Sequence, residues 1–324
     1  MDIYVKKAII HQFSPDDTDL YLADKFLNIT PKIEEYLRKK IERVYSDEAR
    51  TGIFEEDNPF LEMISDDLLE TSVVVANRWK EEFVVSENQK TNDLVFVEFS
   101  KEGVDHFAFL RIALRETLTH LGGEVDNPIK LTQNNLPGFG TGADEALVIN
   151  LQSRKYHLIE KRIKYNGTFL NYFSENLLQA QPKISPKKSI KALEKTAQKI
   201  AESFNTDDFQ FQSKVKSAIF NHIEEENKLS PEKLADDLFD DNLTARLIFI
   251  DQVKEAVPEP VTFEEIDSSR QLKKFENQKL SLSNGIELIV PNNVYEDAES
   301  VEFILNENGT YSILIKNIED IQSK

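Results

Sequence analysis

Five lysines crowd the stretch SPKKSIKALEKTAQKI, residues 185–200: Lys187, Lys188, Lys191, Lys195 and Lys199, with Glu194 the one acid among them. Ammonium groups at this density are point charges suited to phosphate oxygens, so the chemistry on offer is electrostatic capture of a polyanion. On a helical wheel at about 100° per residue, Ile190, Leu193, Ala197, Ile200 and Phe204 fall within about 80° of one another and predict a buried side. Lys187, Lys191, Lys195 and Lys199 repeat at i, i+4 on the opposite side, and Lys188 joins them in a solvent-facing ridge. Like charges at that spacing cost a helix about 0.2 to 0.5 kcal/mol per pair, and lysines in the first turn oppose the macrodipole. Local helix stability therefore does not account for them. A plainly solvated lysine face is the bland account, and it stands beside the functional one.

The charge of the whole chain sharpens the contrast. Its 324 residues carry a formal net charge of -19, whereas the stretch from Arg154 to Lys199 holds eleven Lys and Arg against Glu160, Glu175 and Glu194. That is a local balance of +8, so the remainder carries -27. Arg162 and Lys164 extend the basic patch. A polyanion meeting this chain would find one attractive strip in a repulsive field, with contact confined to it and sensitive to salt. A second basic cluster, LRKKIER at 37–43, has Glu34, Glu35 and Glu42 beside it and reads as an ordinary exposed helix. The late stretch VYEDAESVEFILNENG, residues 294–309, has five acids and no base. Such a segment cannot sit against phosphates; a basic protein surface, the lysine ridge itself, or simple solvation remain open for it.

The sequence carries no other motif with a recognisable chemistry. Gly138, Gly140 and Gly142 lie in PGFGTGADEALVIN, but this loop precedes a strand-like segment, whereas a dinucleotide loop follows a strand and opens a helix. It reads as a loop. His11, His106, His120, His157 and His222 are scattered singly, without the spacing of zinc ligands, and read as structural or exposed. Asp16, Asp17 and Asp19 lack the spacing and glycine of a calcium loop. No nucleophile elbow or Walker loop appears. The expectation is no catalytic residue, no metal, no cofactor and no enzyme, while a site assembled from distant residues stays open. The chain has no cysteine, which excludes disulfides and thiolate zinc sites and favours a reducing compartment. No stretch approaches 18 apolar residues and the N-terminal apolar run is too short for a signal sequence, so a cytoplasmic protein without membrane contact is expected.

The elements that must position these residues follow from pattern. IYVKKAIIHQF and DLYLADKFLNI, around a polar SPDDT turn, read as a strand pair, and Pro31 after Thr30 opens a helix with Ile33, Tyr36, Leu37, Ile41 and Val44 on one side. A helical block covers 59–83. LVFVEFSKEGVDHFAFLRIAL is two strands about Lys101-Glu102-Gly103, ALVINLQSR is a third, and YNGTFLNYFSENLL reads as a helix. The two prolines of QAQPKISP mark a boundary, giving an N-terminal α+β domain with a mostly antiparallel sheet over 1–180 and a C-terminal helical domain with terminal β-hairpins over 181–324. In the second half, helices are expected over 185–204, 207–225, 230–238 and 243–256. Asn284-Gly285 and Asn308-Gly309 mark hairpins in which both turn residues take positive φ. The fold class is α+β.

Several pieces together resemble the bacterial 37-kDa nucleoid-associated proteins of the NdpA/YejK type: KKAIIHQFSPDDTDLYLADKFLNI, ERVYSDEARTGIF, the strand pair around VDHFAFLRIAL, KRIKYNGTFLNYFSENLL and RQLKKFENQKLSLSNGIELIV. The resemblance spans most of the chain, and the mass of 37.3 kDa agrees with it. It implies a cytoplasmic protein that travels with the nucleoid, binds DNA and meets replication or topology partners, and it implies no chemistry. Three readings are carried forward. The first is a sequence-tolerant DNA-binding protein contacting phosphates through Lys187, Lys188, Lys191, Lys195 and Lys199, with Arg162 and Lys164. The second is an acidic adaptor for basic, chromosome-associated proteins. The third is an unrecognised nuclease or other enzyme.

Overall fold

Strand segments that read as unbroken apolar runs, such as LVFVEF, need cover on both faces of a sheet, and the tertiary structure supplies it. The computed structural model describes residues 2–16, 19–83, 90–120, 129–206, 208–263, 266 and 268–322, apart from the side chains of 270 and 271. Asp17 and the start of the helix expected at 207 lie outside them. The chain divides into two units, Met1–Ser185 and Pro186–Lys324.

The first unit contains β1 (Ile3–Ser14), β2 (Asp19–Tyr21), α1 (Pro31–Glu42), β3 (Arg50–Ile53), α2 (Pro59–Glu62), α3 (Leu68–Phe83), β4 (Asn92–Lys101), β5 (Val104–Ala113), β6 (Arg115–His120), β7 (Ile129–Asn135), β8 (Glu145–Asn150), β9 (Lys155–Ile159), β10 (Ile163–Tyr165) and β11 (Thr168–Leu170). One π-helical turn, Phe173–Leu177, follows. Seven strands form one antiparallel sheet in the order β2-β1-β4-β5-β8-β9-β3. Period-2 alternation sends Leu94, Phe96, Phe107 and Phe109 to one face, against Val75 and Trp79 of α3. Val95, Val97, Ala108 and Leu110 go to the other, against Leu37 and Ile41 of α1. In β1 the register slips between Val5 and Lys7. The extra residue changes the parity of the strand: Ile3, Val5 and Ala8 pack toward α1, whereas Ile9 and Phe13 pack toward α3.

Local chemistry explains several joints. Glu102 and Gly103 take φ 54° and 84°, the two left-handed positions of a tight hairpin turn between β4 and β5. Pro31 opens α1 behind Thr30, whose side chain makes no capping bond. The helical block over 59–83 is two helices, with Asn58 capping the first through Phe60 N–H. The reading of YNGTFL as helix is corrected: Asn166 and Gly167 take φ 48° and 78° and close β10 onto β11 as a hairpin, leaving only the π turn helical. Asn-Gly is a two-residue turn that breaks a helix, and its preference outweighed the apolar spacing around it.

His11 carries a pH expectation. Ala23 N–H donates to its Nδ1 at 3.0 Å, so the ring is neutral and its Nε2–H faces Ser72 Oγ at 2.9 Å. Burial holds its pKa below the usual 6.5. The unfolded chain then takes up this proton at higher pH than the folded one, so the contribution is complete above about pH 6.5 and is lost as pH falls through the lowered folded value. Denaturant unfolding should show a smaller loss of stability from neutral to mildly acidic pH in His11→Gln than in the unsubstituted protein; equal losses would remove His11 from the account.

The second unit comprises α4 (Pro186–Ser203), α5 (Phe209–Glu226), β12 (Lys228–Leu229), α6 (Pro231–Leu238), α7 (Leu243–Ala256), β13 (Val261–Thr262), α8 (Ser269–Phe275), β14 (Asn277–Ser281), β15 (Glu287–Pro291), α9 (Asn292–Tyr295), β16 (Val301–Leu305) and β17 (Tyr311–Ile315). Side-chain oxygens of Asp208, Ser230 and Asn242 accept backbone N–H bonds at the starts of α5, α6 and α7. One core joins Ile190, Leu193, Ala197 and Ile200 to Ile219, Leu234 and Phe249. A buried polar knot anchors the tail: Gln278 Nε2 donates to Asn292 Oδ1 at 2.8 Å and to Ser213 O at 3.1 Å, and Asn292 Nδ2 donates to Phe275 O. Both tail hairpins form, with a different turn from the one expected. Gly285 N–H bonds Leu282 O and Gly309 N–H bonds Asn306 O, and only the glycines take positive φ, at 87° and 79°. Each is a four-residue turn closed by a left-handed glycine, which leaves the asparagine in ordinary space.

Candidate nucleic-acid interface

Helix α4 forms because its apolar positions repeat at helical spacing. Ile190, Leu193, Ala197 and Ile200 are buried, and Phe204 packs against the same core. That fixes the rotation of the helix. Lys187, Lys188, Lys191, Lys195 and Lys199 are then all exposed on the side away from the core. Among the described residues no acid pairs with Lys188, Lys191, Lys195 or Lys199. Glu194 turns aside to Lys274, at 3.7 Å, and Glu202 accepts from Gln198 at 3.4 Å at the far end of the ridge. The arrangement is a row of cations, and such a row can bind phosphates.

Arg162 and Lys164 are also exposed, but they belong to the first unit, flanking and within β10. Arg162 Nε donates to Asn171 Oδ1 at 3.3 Å. Other cations of the basic stretch are spent internally: Lys161 pairs with Asp144 at 2.6 Å and Arg154 with Glu56 at 3.1 Å. The acidic hairpin β16–β17 packs on the start of α5, with Phe303 and Tyr311 each 5.1 Å from the Phe209 ring, and the lysines remain exposed. Lys316 pairs with Glu302 at 2.6 Å, so part of its acidity is neutralised in place.

The basic cluster of α1 departs from its sequence reading. Arg38 and Lys39 pair with Glu42 and Glu35 one turn away. Lys40, in contrast, is buried, and its ammonium donates to the carbonyls of Gly138, at 2.9 Å, and Thr141. Burial pulls its pKa down to about 8, with Arg43 and Arg115 acting in the same direction. The glycine-rich loop is thereby explained: it turns carbonyls inward around a cation, the opposite polarity to a phosphate cradle.

A buried ionic cluster lies in the sheet. Arg111 Nε meets Glu145 Oε2 at 2.5 Å and Arg111 Nη1 donates to Asn92 Oδ1 at 2.8 Å. Tyr172 OH donates to Glu145 and receives Trp79 Nε1–H at 3.0 Å. Burial and the Glu145 charge push the Tyr172 hydroxyl well above its usual pKa. Tyr172 and Glu145 are fully buried, so the cluster offers a substrate no access. Besides His11, two further histidines make hydrogen bonds: His106 Nδ1 donates to Val104 O at 2.9 Å and His222 Nε2 faces Asp237 at 2.7 Å. Among the described residues no three His, Asp or Glu gather as they would around a metal ion, and no helix is long and apolar enough to cross a membrane.

Sequence reasoning missed two features of the basic hairpin. Tyr165 and Phe169 project from it, 41% and 62% exposed. The Asn166-Gly167 pair was the available signal, the same dipeptide that marked the tail hairpins.

A protein-family model described as Nucleoid-associated protein YejK matches residues 9–321 of the chain. No curated protein matches it.

Proposed function

The chain belongs to the nucleoid-associated protein YejK family, and on that premise we propose that it resides on the bacterial nucleoid in the cytoplasm and binds duplex DNA without marked sequence preference, through phosphate contacts from Lys187, Lys188, Lys191, Lys195 and Lys199. The observation that carries this reading is the exposed lysine face of α4 in a chain of net charge -19. Helix stability does not call for that face, because the apolar side alone docks the helix. Ammonium groups act on phosphates as point charges, and the ridge carries no arginine or asparagine to read base edges. Its role is architectural and non-catalytic, with no metal or cofactor. Arg162 and Lys164 supply further phosphate contacts from the first unit.

Duplex titrations over a range of salt test this reading. The five ridge lysines on phosphates should contribute about -4.5 to the slope of log affinity against log salt, and Arg162 and Lys164 about -0.9 each. Affinities for unrelated duplexes should agree; a preference above about 10³ for one short site would overturn sequence tolerance, since specific recognition shows ratios of that size.

The acidic tail favours a second reading, an adaptor for basic chromosome-associated proteins. Leu305 and Leu314 of β16 and β17 are 63% and 48% exposed within a segment rich in acids. In that case duplex binding would be weak and independent of the ridge lysines, and a basic partner would bind through the hairpin.

A further inference from the structure

The run KRIKYNGTFLN, residues 161–171, carries three cations and no acid in a strongly acidic chain. It folds as the β10–β11 hairpin, whose base is rooted in the first unit: Ile163 is buried and Leu170 packs on the core that holds Trp79 and Phe109. The turn is two residues long, Asn166 and Gly167, both in left-handed space, so the tip has little freedom to rearrange. Lys164 lies directly across from Phe169 in the register. Alternation places Arg162 on the side of Lys164, and the Arg162–Asn171 hydrogen bond holds it beside the strand that carries Phe169. Phe169 has no ring partner among the described residues. A single exposed apolar side chain is ordinary on a protein surface. An exposed aromatic ring with two cations along the facing strand is a different object, because it offers a stacking face with phosphate ligands beside it.

We infer that this hairpin stacks an unpaired nucleobase on Phe169 while Arg162 and Lys164 bind the flanking phosphates. The inference rests on the DNA reading above and deepens it: the chain engages single-stranded or locally opened DNA at a second site, distinct from the duplex-binding ridge. Stacking is indifferent to base identity, since every base has a π face, so this site keeps the sequence tolerance of the ridge. The acidic remainder of the chain confines a strand to the basic tip.

The test uses the full chain with two probes, oligothymidylate and a blunt duplex of similar length, read by fluorescence anisotropy. Phe169→Leu keeps an apolar side chain and removes the stacking face, and should weaken oligothymidylate binding about tenfold or more while leaving the blunt duplex unchanged. Phe169→Trp should restore single-strand affinity, and its new indole emission should be quenched when oligothymidylate is added. If Phe169→Leu binds oligothymidylate as the unsubstituted protein does, while salt-sensitive duplex binding persists, the stacking site is wrong and the DNA reading stands. If the unsubstituted protein binds neither probe, both fall. Unchanged oligothymidylate binding together with loss of concentration-dependent self-association in Phe169→Leu would also overturn the inference and assign the tip to protein contact.

Discussion

Replacing Lys187, Lys191, Lys195 and Lys199 together by glutamine should weaken duplex binding by about three orders of magnitude at about 0.1 M salt, if all four touch phosphate, and should lower the slope of log affinity against log salt by about 0.9 for each phosphate no longer neutralised. The size follows from counterion release: each lysine on a phosphate frees condensed cations, and that gain grows as salt falls. The helix should survive. Glutamine has nearly the helix propensity of lysine, and Ile190, Leu193, Ala197 and Ile200, which dock α4, are untouched. Stability should hold or rise slightly as like-charge repulsion at i, i+4 is relieved. The weakening should be the same for every duplex sequence, because phosphates carry no sequence information. An adaptor would show no change in DNA affinity from these substitutions. A folded quadruple variant that keeps the original slope would make the lysines a solvated face and nothing more.

Glu145→Ala is expected to destabilise the first unit by about 3 to 5 kcal/mol, the usual cost of removing one partner from a buried ion pair. Glu145 is completely buried and receives Arg111, the Tyr172 hydroxyl and the Lys161 amide. Its removal takes away the carboxylate that Arg111 Nε meets, leaving the Asn92 hydrogen bond in place, and strips two further donors of their acceptor. Against a typical stability of about 5 to 15 kcal/mol this is severe. The chain contains one tryptophan, Trp79, and its indole N–H donates to Tyr172 in the same cluster, so its fluorescence reports unfolding of this unit directly. Replacing both charges, Arg111→Met with Glu145→Leu, should cost less stability than the single change, because no unpaired charge remains buried. A double variant that is the less stable of the two would show that the pair contributes beyond mutual neutralisation.

The sequence alone determined the elements whose information is local. Helical spacing of Ile190, Leu193, Ala197 and Ile200 decided which way the α4 lysines face, since a helix has one rotation that buries its apolar stripe. Glu102-Gly103 marked a hairpin, and the apolar runs around it became adjacent strands. Charge and composition likewise singled out the basic strip. Tertiary structure decided what depends on partners distant in sequence. Lys40 has the pattern of an exposed helical lysine, yet the loop at 137–141 closes over it from about a hundred residues away. Arg111 and Glu145 look like two strand-end charges until the β5–β8 register sets them face to face. The bulge in β1 shifts parity in a way no alternation count can foresee. Phe169 is exposed because a turn at Asn166-Gly167 reverses the chain and leaves its ring beyond the edge of the core. Periodicity is written in neighbouring residues, whereas burial, ion pairing and exposure are fixed only when register brings separate segments together.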